Sequence, residues 1–166
     1  MPELRALQSC WHRDDWMRWT DTLPEATVSG VLFVDADFLK QVNDQQGHAA
    51  GDAYLEGIVT VLNHSLRQED RIVRWGGDEF VLCTLSCTFL PALHDLRQRI
   101  LTALDQHHLS CSIGIALKQP QHSWDSVIAE ADKNMYTMKQ RHHAQHDKQQ
   151  KSQGRYSSCH SIRFAA

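Results

Sequence analysis

Two glycines followed by two acids, set between apolar runs, constrain the fold of this chain more than any other feature. The segment Gly76–Glu79 has strand-like apolar residues on both sides. This pattern predicts a β-hairpin, in which Gly76 and Gly77 supply the positive φ angles of a two-residue turn. Glycine at these positions would also let an anionic ligand approach the backbone closely. The hairpin would display Asp78 and Glu79 at its tip, with an ordinary solvated turn as the alternative.

A second acidic cluster follows the apolar run Val31–Val34, which has the composition of a buried strand. Asp35 and Asp37 come directly after it, and residues 38–44 have helical character. Ligands gather at strand ends in α/β sheets, so Asp35 is placed to face one, whereas capping the following helix is the alternative role for either acid. Carboxylates from both clusters would suit Mg²⁺ bound together with substrate phosphates. The chemistry predicted is phosphoryl or nucleotidyl transfer.

Four ordered blocks of sequence carry a family resemblance. They are Gly76–Phe80, the block Asp35–Asp52 that reads D-A-D-F-L-K-Q-V-N-D-Q-Q-G-H-A-A-G-D, the strand Ser112–Ala116 and the helix Ala131–Lys139. On these blocks the chain resembles the GGDEF-domain diguanylate cyclases, which condense two GTP molecules into cyclic di-GMP and release pyrophosphate. The resemblance implies an α+β fold with β-α-α-β-β-α-β-α order. It would have a central, mainly antiparallel sheet flanked by helices, like nucleotidyl cyclases and polymerase palms.

The resemblance also implies a metal site. Asp35, Asp78 and Glu79, with the main-chain carbonyl of Ala36, would hold Mg²⁺, or Mn²⁺ in its place. The ion would neutralise phosphate charge while a 3′-hydroxyl attacks the α-phosphorus. The catalytic residues implied are Asp78, as the acceptor of the hydroxyl proton, and Glu79.

A GTP site is implied by the same resemblance. An amide and a carboxylate would read the guanine edge, while backbone amides at a helix start and a lysine would hold the phosphates. The residues concerned are Asn43, Asp52 and His48 near the base, Gly76 and Gly77 in the hairpin, and Phe38, Leu39, Lys40 and Lys139 at the phosphates. From the residues alone, His48 is equally a loop histidine and Lys139 a solvated surface lysine.

The segment Arg67-Gln-Glu-Asp70 resembles the R-x-x-D product-inhibition site that many family members carry shortly before the hairpin. Its guanidinium could pair with phosphate or guanine, its carboxylate could accept from guanine N–H groups, and Arg74 could contribute. An exposed ion pair is the alternative. The product joins two GTP molecules and a subunit binds one. The resemblance therefore implies catalysis by a transient homodimer, with cyclic di-GMP as product and inhibitor.

Two segments depart from the family pattern. The opening motif is hardly recognisable in Leu7–Trp16, and His142 and His143 stand where the family carries Gly-Arg after the lysine. Arg141 and Arg155 are the two candidates to replace the missing arginine. These departures leave a GTP-binding or cyclic di-GMP-binding module as the alternative to an enzyme.

Composition agrees with one domain, because 166 residues with 42% hydrophobic content can bury one sizeable core. We expect the GGDEF domain over residues 1–140 and a polar, basic tail over 141–166 that is partly disordered or contains a terminal strand. Five of the 17 basic residues but one of the 20 acidic residues lie from Arg141 onward, so the tail carries a formal charge of +4 and the body −7. An acidic body argues against nucleic acid as a partner.

The remaining sequence signals concern location and metals. Cys83 and Cys111 lie in apolar strand contexts typical of reduced core thiols, and we expect a cytoplasmic protein. No apolar stretch approaches the ~20 residues that cross a bilayer, so no membrane segment is expected. The histidines at 142, 143 and 146 could bind a metal at helical spacing, with a solvated polar run as the alternative.

Overall fold

A computed structural model describes the backbone of residues 5–159 and the side chains of residues 6–153. The elements in chain order are α1 (Arg5–Ser9), α2 (Arg13–Asp21), β1 (Ser29–Ala36), α3 (Leu39–Gln46), α4 (His48–Ser65), β2 (Arg71–Arg74), β3 (Glu79–Thr84), α5 (Leu90–Gln106), β4 (Cys111–Lys118) and α6 (Trp124–Cys159). The strands form one antiparallel sheet in the order β2-β3-β1-β4. The predicted α+β class and the β-α-α-β-β-α-β-α order are confirmed.

The central strand β1 is buried along its whole length because helices cover both faces of the sheet. Leu32 and Val34 pack with α4 and α5 in one apolar cluster. Val31 and Phe33 pack in a second cluster, to which Trp16 of α2 and residues of α6 belong. A strand covered on both faces needs apolar residues without alternation, which explains the continuous apolar run in its sequence.

The register of the sheet brings the acidic ends together. Asp35, near the end of β1, pairs directly with Glu79 at the start of β3. The amide N–H of Ala36 donates to the Asp78 carbonyl at 3.0 Å. Because the strands are antiparallel, the end of β1 meets the hairpin that opens β3.

The hairpin forms as predicted, but its turn is not the two-residue type. β2 ends at Arg74 and β3 begins at Glu79, and the amides of Trp75 and Gly76 both donate to the Glu79 carbonyl, at 2.8 and 3.2 Å. Among the described glycines, positive φ occurs at Gly47 and not in the hairpin, so that part of the prediction is wrong. A Cβ at Gly76 would lie 2.7 Å from Glu79 Oε2, so a side chain there would displace the flexible end of the Glu79 carboxylate.

The last helix is longer than predicted. The sequence indicated a helix through Lys139 and a tail over 141–166 that is partly disordered or contains a terminal strand, whereas α6 continues to Cys159 and so includes part of that tail. Residues 141–153 contain no proline or glycine and are rich in glutamine and lysine, which favour helix. Their polarity indicates an exposed helix. Residues 160–166 lie outside the described part of the chain.

Cys83 and Cys111 are free and buried, in agreement with the core thiols predicted from sequence. Burial raises the pKa of the Cys83 thiol to about 12. Within residues 5–159, none of the helices is long and apolar enough to cross a bilayer.

The packing of α6 on the sheet generates a stability prediction. A Cβ at Gly114 of β4 would overlap the Ala131 carbonyl oxygen and the Met135 amide nitrogen, which are backbone atoms of α6. Gly114→Ala should therefore lower the free energy of unfolding by about 3 kcal/mol, because the helix must move off the sheet. Gly57→Ala is the matched control, since its Cβ would meet only the flexible tip of Leu109, at 3.2 Å. Urea unfolding measures both, and equal stability of the two variants would contradict the prediction.

Candidate functional site

Three acidic residues lie where β1 ends and β3 begins. Asp35 and Glu79 are direct cross-strand partners, and Asp78 lies next to Glu79 at the hairpin. Asp35 is buried, with 5% of its surface exposed, whereas the other two acids are half-buried. Like charges directly opposite each other on neighbouring strands destabilise a sheet. Such a pair is stable only beside positive charge.

Lys139 of α6 supplies one positive charge. Its Nζ lies 2.8 Å from Asp35 Oδ1 and donates a hydrogen bond to it. Burial lowers the pKa of Lys139, but the bond to Asp35 more than offsets burial, so the pKa lies above its usual value. Among the side chains of residues 6–153, Lys139 is the cation that forms a salt bridge with one of these three acids, so their negative charge is compensated only in part.

The pKa values of the acids reflect this excess of negative charge. Burial raises the pKa of Asp35, and the hydrogen bond from Lys139 opposes that rise only in part. The pKa of Glu79 is also raised, first by burial and then by the charges of Asp35 and Asp78. Both carboxylates would be stabilised in their charged form by an additional cation.

The carboxylates of Asp35, Asp78 and Glu79 suit Mg²⁺. They do not suit a metal ion that is bound by protein side chains alone. Among the described residues, no group of three His, Cys, Asp or Glu side chains is arranged to bind a metal ion by itself. Mg²⁺ usually binds one or two carboxylates, with waters and substrate phosphates completing an octahedron. Asp35 with Asp78 and Glu79 provides such a partial set. The His142, His143 and His146 side chains do not converge on a metal site, because the first contacts Asp37 and the others contact the Phe38 ring.

The turn between β1 and α3 is built to present backbone amides. Phe38 precedes α3 with φ 61° and ψ 17°, a left-handed conformation that is uncommon for a bulky residue and that occurs at functional sites. No side chain caps α3. The first-turn amides of a helix have no intrahelical partner, so those at Leu39 and Lys40 are suited to an anion.

Asn43 and Asp52 lie on adjacent helices near the same place. The side chain of Asn43 rests against Gly51 so closely that a Cβ at Gly51 would overlap its Oδ1. Asp52 follows Gly51 in α4 and is exposed, as is His48 at the start of that helix. The structure therefore places Asn43 against the residue that precedes Asp52, and within residues 6–153 neither side chain takes part in a hydrogen bond.

The sequence suggested only a helix-capping role for Asp37. In the structure it holds several elements together. It is fully buried and accepts hydrogen bonds from Ser110 Oγ (2.8 Å), Ser112 Oγ (2.7 Å) and His142 Nδ1 (2.6 Å). Burial by itself raises its pKa, but the three hydrogen bonds more than offset burial and leave the pKa below its usual value. Asp37 thus joins β1, β4 and α6 beside the acidic cluster.

Arg67 and Asp70 occupy a separate place. A cavity of about 230 Å³ is lined by Arg67, Asp70 and Arg71, together with Ser9, Trp11, Asn63, Leu66 and Ile72. Asp70 is buried and accepts from the Arg67 backbone amide at 2.9 Å, so the two residues do not form the exposed ion pair considered as an alternative. Arg74 does not line this cavity, since its guanidinium donates to the Gly77 carbonyl at 2.8 Å.

The opening segment that matched the family poorly braces the hairpin. Arg13 Nε donates to the Trp75 carbonyl at 2.9 Å, and its guanidinium lies 4.2 Å from the centre of the Trp75 ring. Trp11 adds backbone hydrogen bonds to both sides of Val73, with Ile72 and Arg74. Sequence reasoning could not find these contacts, which join segments distant in the chain.

Comparison with known proteins gives a consistent result. The sequence profile of a family described as "Diguanylate cyclase, GGDEF domain" matches residues 17–145. The chain is 39% identical over 121 residues to a protein named cyclic di-GMP phosphodiesterase PdeR from Escherichia coli, covering 67% of this chain and 18% of that protein. It is 30% identical over 120 residues to diguanylate cyclase A from Treponema denticola, covering 66% of this chain and 32% of that protein. The chain therefore spans a third or less of these relatives.

Solved structures show the same fold. The isolated GGDEF domain of TpbB, also called YfiN, from Pseudomonas aeruginosa superposes with a TM-score of 0.70 at 28% identity, covering 80% of this chain and 86% of that one. The GGDEF domain of DgcB from Caulobacter crescentus, solved in complex with c-di-GMP, gives a TM-score of 0.69 at 19% identity, covering 79% and 86%. At that identity the second likeness shows the fold alone.

The buried Asp37 network yields a prediction with a pH signature. Asp37→Asn would place an amide NH₂ group where three donors now point at a carboxylate. It should therefore lower the free energy of unfolding at pH 7 by about 3 kcal/mol. Folding lowers the pKa of Asp37. Its stabilisation is therefore fully present above about pH 4, the ordinary value for Asp, and is lost as the pH falls through the lower folded value.

Urea unfolding at pH 7, 5 and 3 measures this effect. The difference between wild type and Asp37→Asn should narrow below pH 4, while the exposed Asp44→Asn should match wild type within about 0.5 kcal/mol throughout. A wild-type stability equal to that of Asp37→Asn at pH 7 would contradict the assigned network.

Proposed function

Since the chain belongs to the GGDEF domain family, we propose that it is a diguanylate cyclase that condenses two GTP molecules into cyclic di-GMP and releases pyrophosphate. The observation that supports this most is the register that sets Asp35 opposite Glu79, beside Asp78, with Lys139 as the ammonium that pairs with them among the described side chains. Such an excess of negative charge suits a divalent cation carrying a nucleoside triphosphate.

The proposed metal site uses Asp35, Asp78 and Glu79, with the main-chain carbonyl of Ala36. Mg²⁺, or Mn²⁺ in its place, would offset phosphate charge and favour attack at the α-phosphorus. Asp78 would accept the proton of the 3′-hydroxyl, and Glu79 is the second catalytic residue proposed. Without a metal, burial and the charges of Asp35 and Asp78 raise the pKa of Glu79, and a bound cation would lower it and hold the carboxylate in its charged form.

The proposed substrate site positions GTP at its two ends. Asn43 and Asp52 would bind the guanine edge, because an amide both donates and accepts while a carboxylate accepts from the ring N–H and the exocyclic amine. His48 would border this part of the site. The phosphates would contact the amides at the start of α3 and the Lys139 side chain. The residues assigned to the phosphates and the hairpin are Phe38, Leu39, Lys40, Lys139, Gly76 and Gly77.

Catalysis would require a homodimer. One domain offers one guanine site, and the product contains two guanosines joined head to tail. Two domains must therefore face each other, each with its own GTP. The reduced core thiols are compatible with a cytoplasmic reaction.

Product inhibition is proposed for the cavity beside β2. Arg67 would pair with a phosphate or a guanine acceptor, and Arg71 adds a second guanidinium to the cavity wall. Arg71 also lies 5.0 Å from the Trp11 ring centre, so an aromatic surface is close by. Arg74 contacts the hairpin, and we assign it to bracing the turn and not to this cavity.

A binding module without turnover is the second candidate function. His142 and His143 stand where the family carries Gly-Arg, and Lys139 pairs with an acid of the proposed metal site. Such a domain would still bind GTP or cyclic di-GMP and would act through protein contacts. The two candidates differ in whether GTP is converted.

Incubation with GTP and Mg²⁺, followed by chromatography, tests the enzyme. Cyclic di-GMP should form, and activity per mole of protein should rise with protein concentration as the dimer forms. Asp35→Asn and Glu79→Gln should each reduce the rate about 100-fold or more, because each removes charge from the site. Asp105→Asn, an exposed acid at the end of α5, is the matched control and should keep wild-type activity. If the protein binds GTP but forms no product at high protein concentration, the chain is a binding module and not an enzyme.

Arg67→Ala tests the inhibitory site. Wild-type protein should lose activity as cyclic di-GMP is added, and the variant should need at least about tenfold more of it, because a charged partner of the ligand is lost. Arg99→Ala, an exposed arginine of α5, should be inhibited like wild type. Calorimetric titration with cyclic di-GMP gives the same comparison without turnover, and equal affinity of all three proteins would contradict the assignment.

A further inference from the structure

Two parallel contacts join α6 to the end of β1. Lys139 Nζ lies 2.8 Å from Asp35 Oδ1, and His142 Nδ1 lies 2.6 Å from Asp37 Oδ2. Residues three apart on a helix share a face, and Asp37 comes directly after Ala36, the last residue of β1. The two contacts are therefore neighbours, one helical turn apart.

The two carboxylates differ in what else they can bind. Asp37 is fully buried and already accepts from Ser110, Ser112 and His142, so its oxygens are occupied. Asp35 has Lys139 as its described side-chain partner and faces Glu79 across the strands. A cation arriving with GTP would compete for Asp35 and leave the Asp37 contact unchanged.

The contact at His142 also fixes the part of α6 that follows. The rings of His143 and His146 lie 5.2 and 4.6 Å from that of Phe38, at the turn before α3. Phe38 opens the turn proposed to bind the phosphates. The extension of α6 thus rests on this turn, and His142 is the residue of the extension that hydrogen-bonds to the sheet, within the side chains that the structure describes.

We propose that His142 is a positioning residue that acts through Lys139. The Nδ1–H of its imidazole donates to Asp37 and holds α6 against β1, so that Lys139 stays within reach when its bond to Asp35 is exchanged for one to the terminal phosphates of GTP. Without that anchor, the loss of the Asp35 bond would let this turn of α6 move away from the site. The inference rests on the proposed GTP site.

The test measures affinity for a fluorescent, non-hydrolysable GTP analogue in the presence of Mg²⁺. His142→Ala should raise the Kd about tenfold, a coupling typical of residues that act through a shared partner. His142→Asn should restore the Kd to within about threefold of wild type, because the Asn Nδ2 replaces the imidazole Nδ1 as donor. Gln145→Ala, an exposed change on the same helix, should bind like wild type.

A double-mutant cycle separates positioning from general packing. In the Lys139→Ala background, His142→Ala should change the Kd less than about twofold, because the residue through which it acts is absent. An equal loss in both backgrounds, an unchanged Kd in His142→Ala, or no rescue by His142→Asn would each overturn the inference. A wild-type protein that does not bind the analogue would overturn the proposed GTP site itself, and with it this inference. A failure of the positioning role alone would leave wild-type binding intact.

Discussion

The antiparallel register of β1 and β3 sets two acids, Asp35 and Glu79, directly opposite each other, and this pairing shapes the whole candidate site. An antiparallel register that sets two carboxylates opposite each other is unfavourable unless positive charge is near. Lys139 of α6 provides part of that charge. The remaining negative charge is what makes this end of the sheet suited to a metal-bound triphosphate.

The surrounding structure fixes these acids in place at some expense of local stability. Burial raises the pKa of both Asp35 and Glu79, and Phe38 adopts a left-handed backbone beside them. A left-handed bulky residue and buried acids with raised pKa values each lower local stability. The fully paired Asp37 contributes the opposite effect, because it joins β1, β4 and α6 through satisfied hydrogen bonds. A fully hydrogen-bonded carboxylate therefore stands next to carboxylates whose charge is only partly compensated.

The sequence predicted the features that depend on local patterns. The apolar runs identified β1 and the hairpin strands, and the ordered blocks identified the fold, because each is a short-range signal. The turn at Gly76 was predicted incorrectly, because the connection between β2 and β3 runs from Arg74 to Glu79 and is longer than two residues. The length of α6 was also predicted incorrectly, because helix-favouring residues continue after Gln140. The bond between Asp37 and His142 joins positions 105 apart, and no local pattern predicts such a contact.

The most direct test of the central claim is a crystal structure with Mn²⁺ and a non-hydrolysable GTP analogue, in which anomalous scattering locates the metal. We predict one anomalous peak, from a metal bound by Asp35 and by Asp78 or Glu79. Lys139 should have moved from Asp35 to the phosphates, and His142 should still contact Asp37. A metal bound away from these carboxylates, or an analogue seated while Lys139 remains on Asp35, would contradict it.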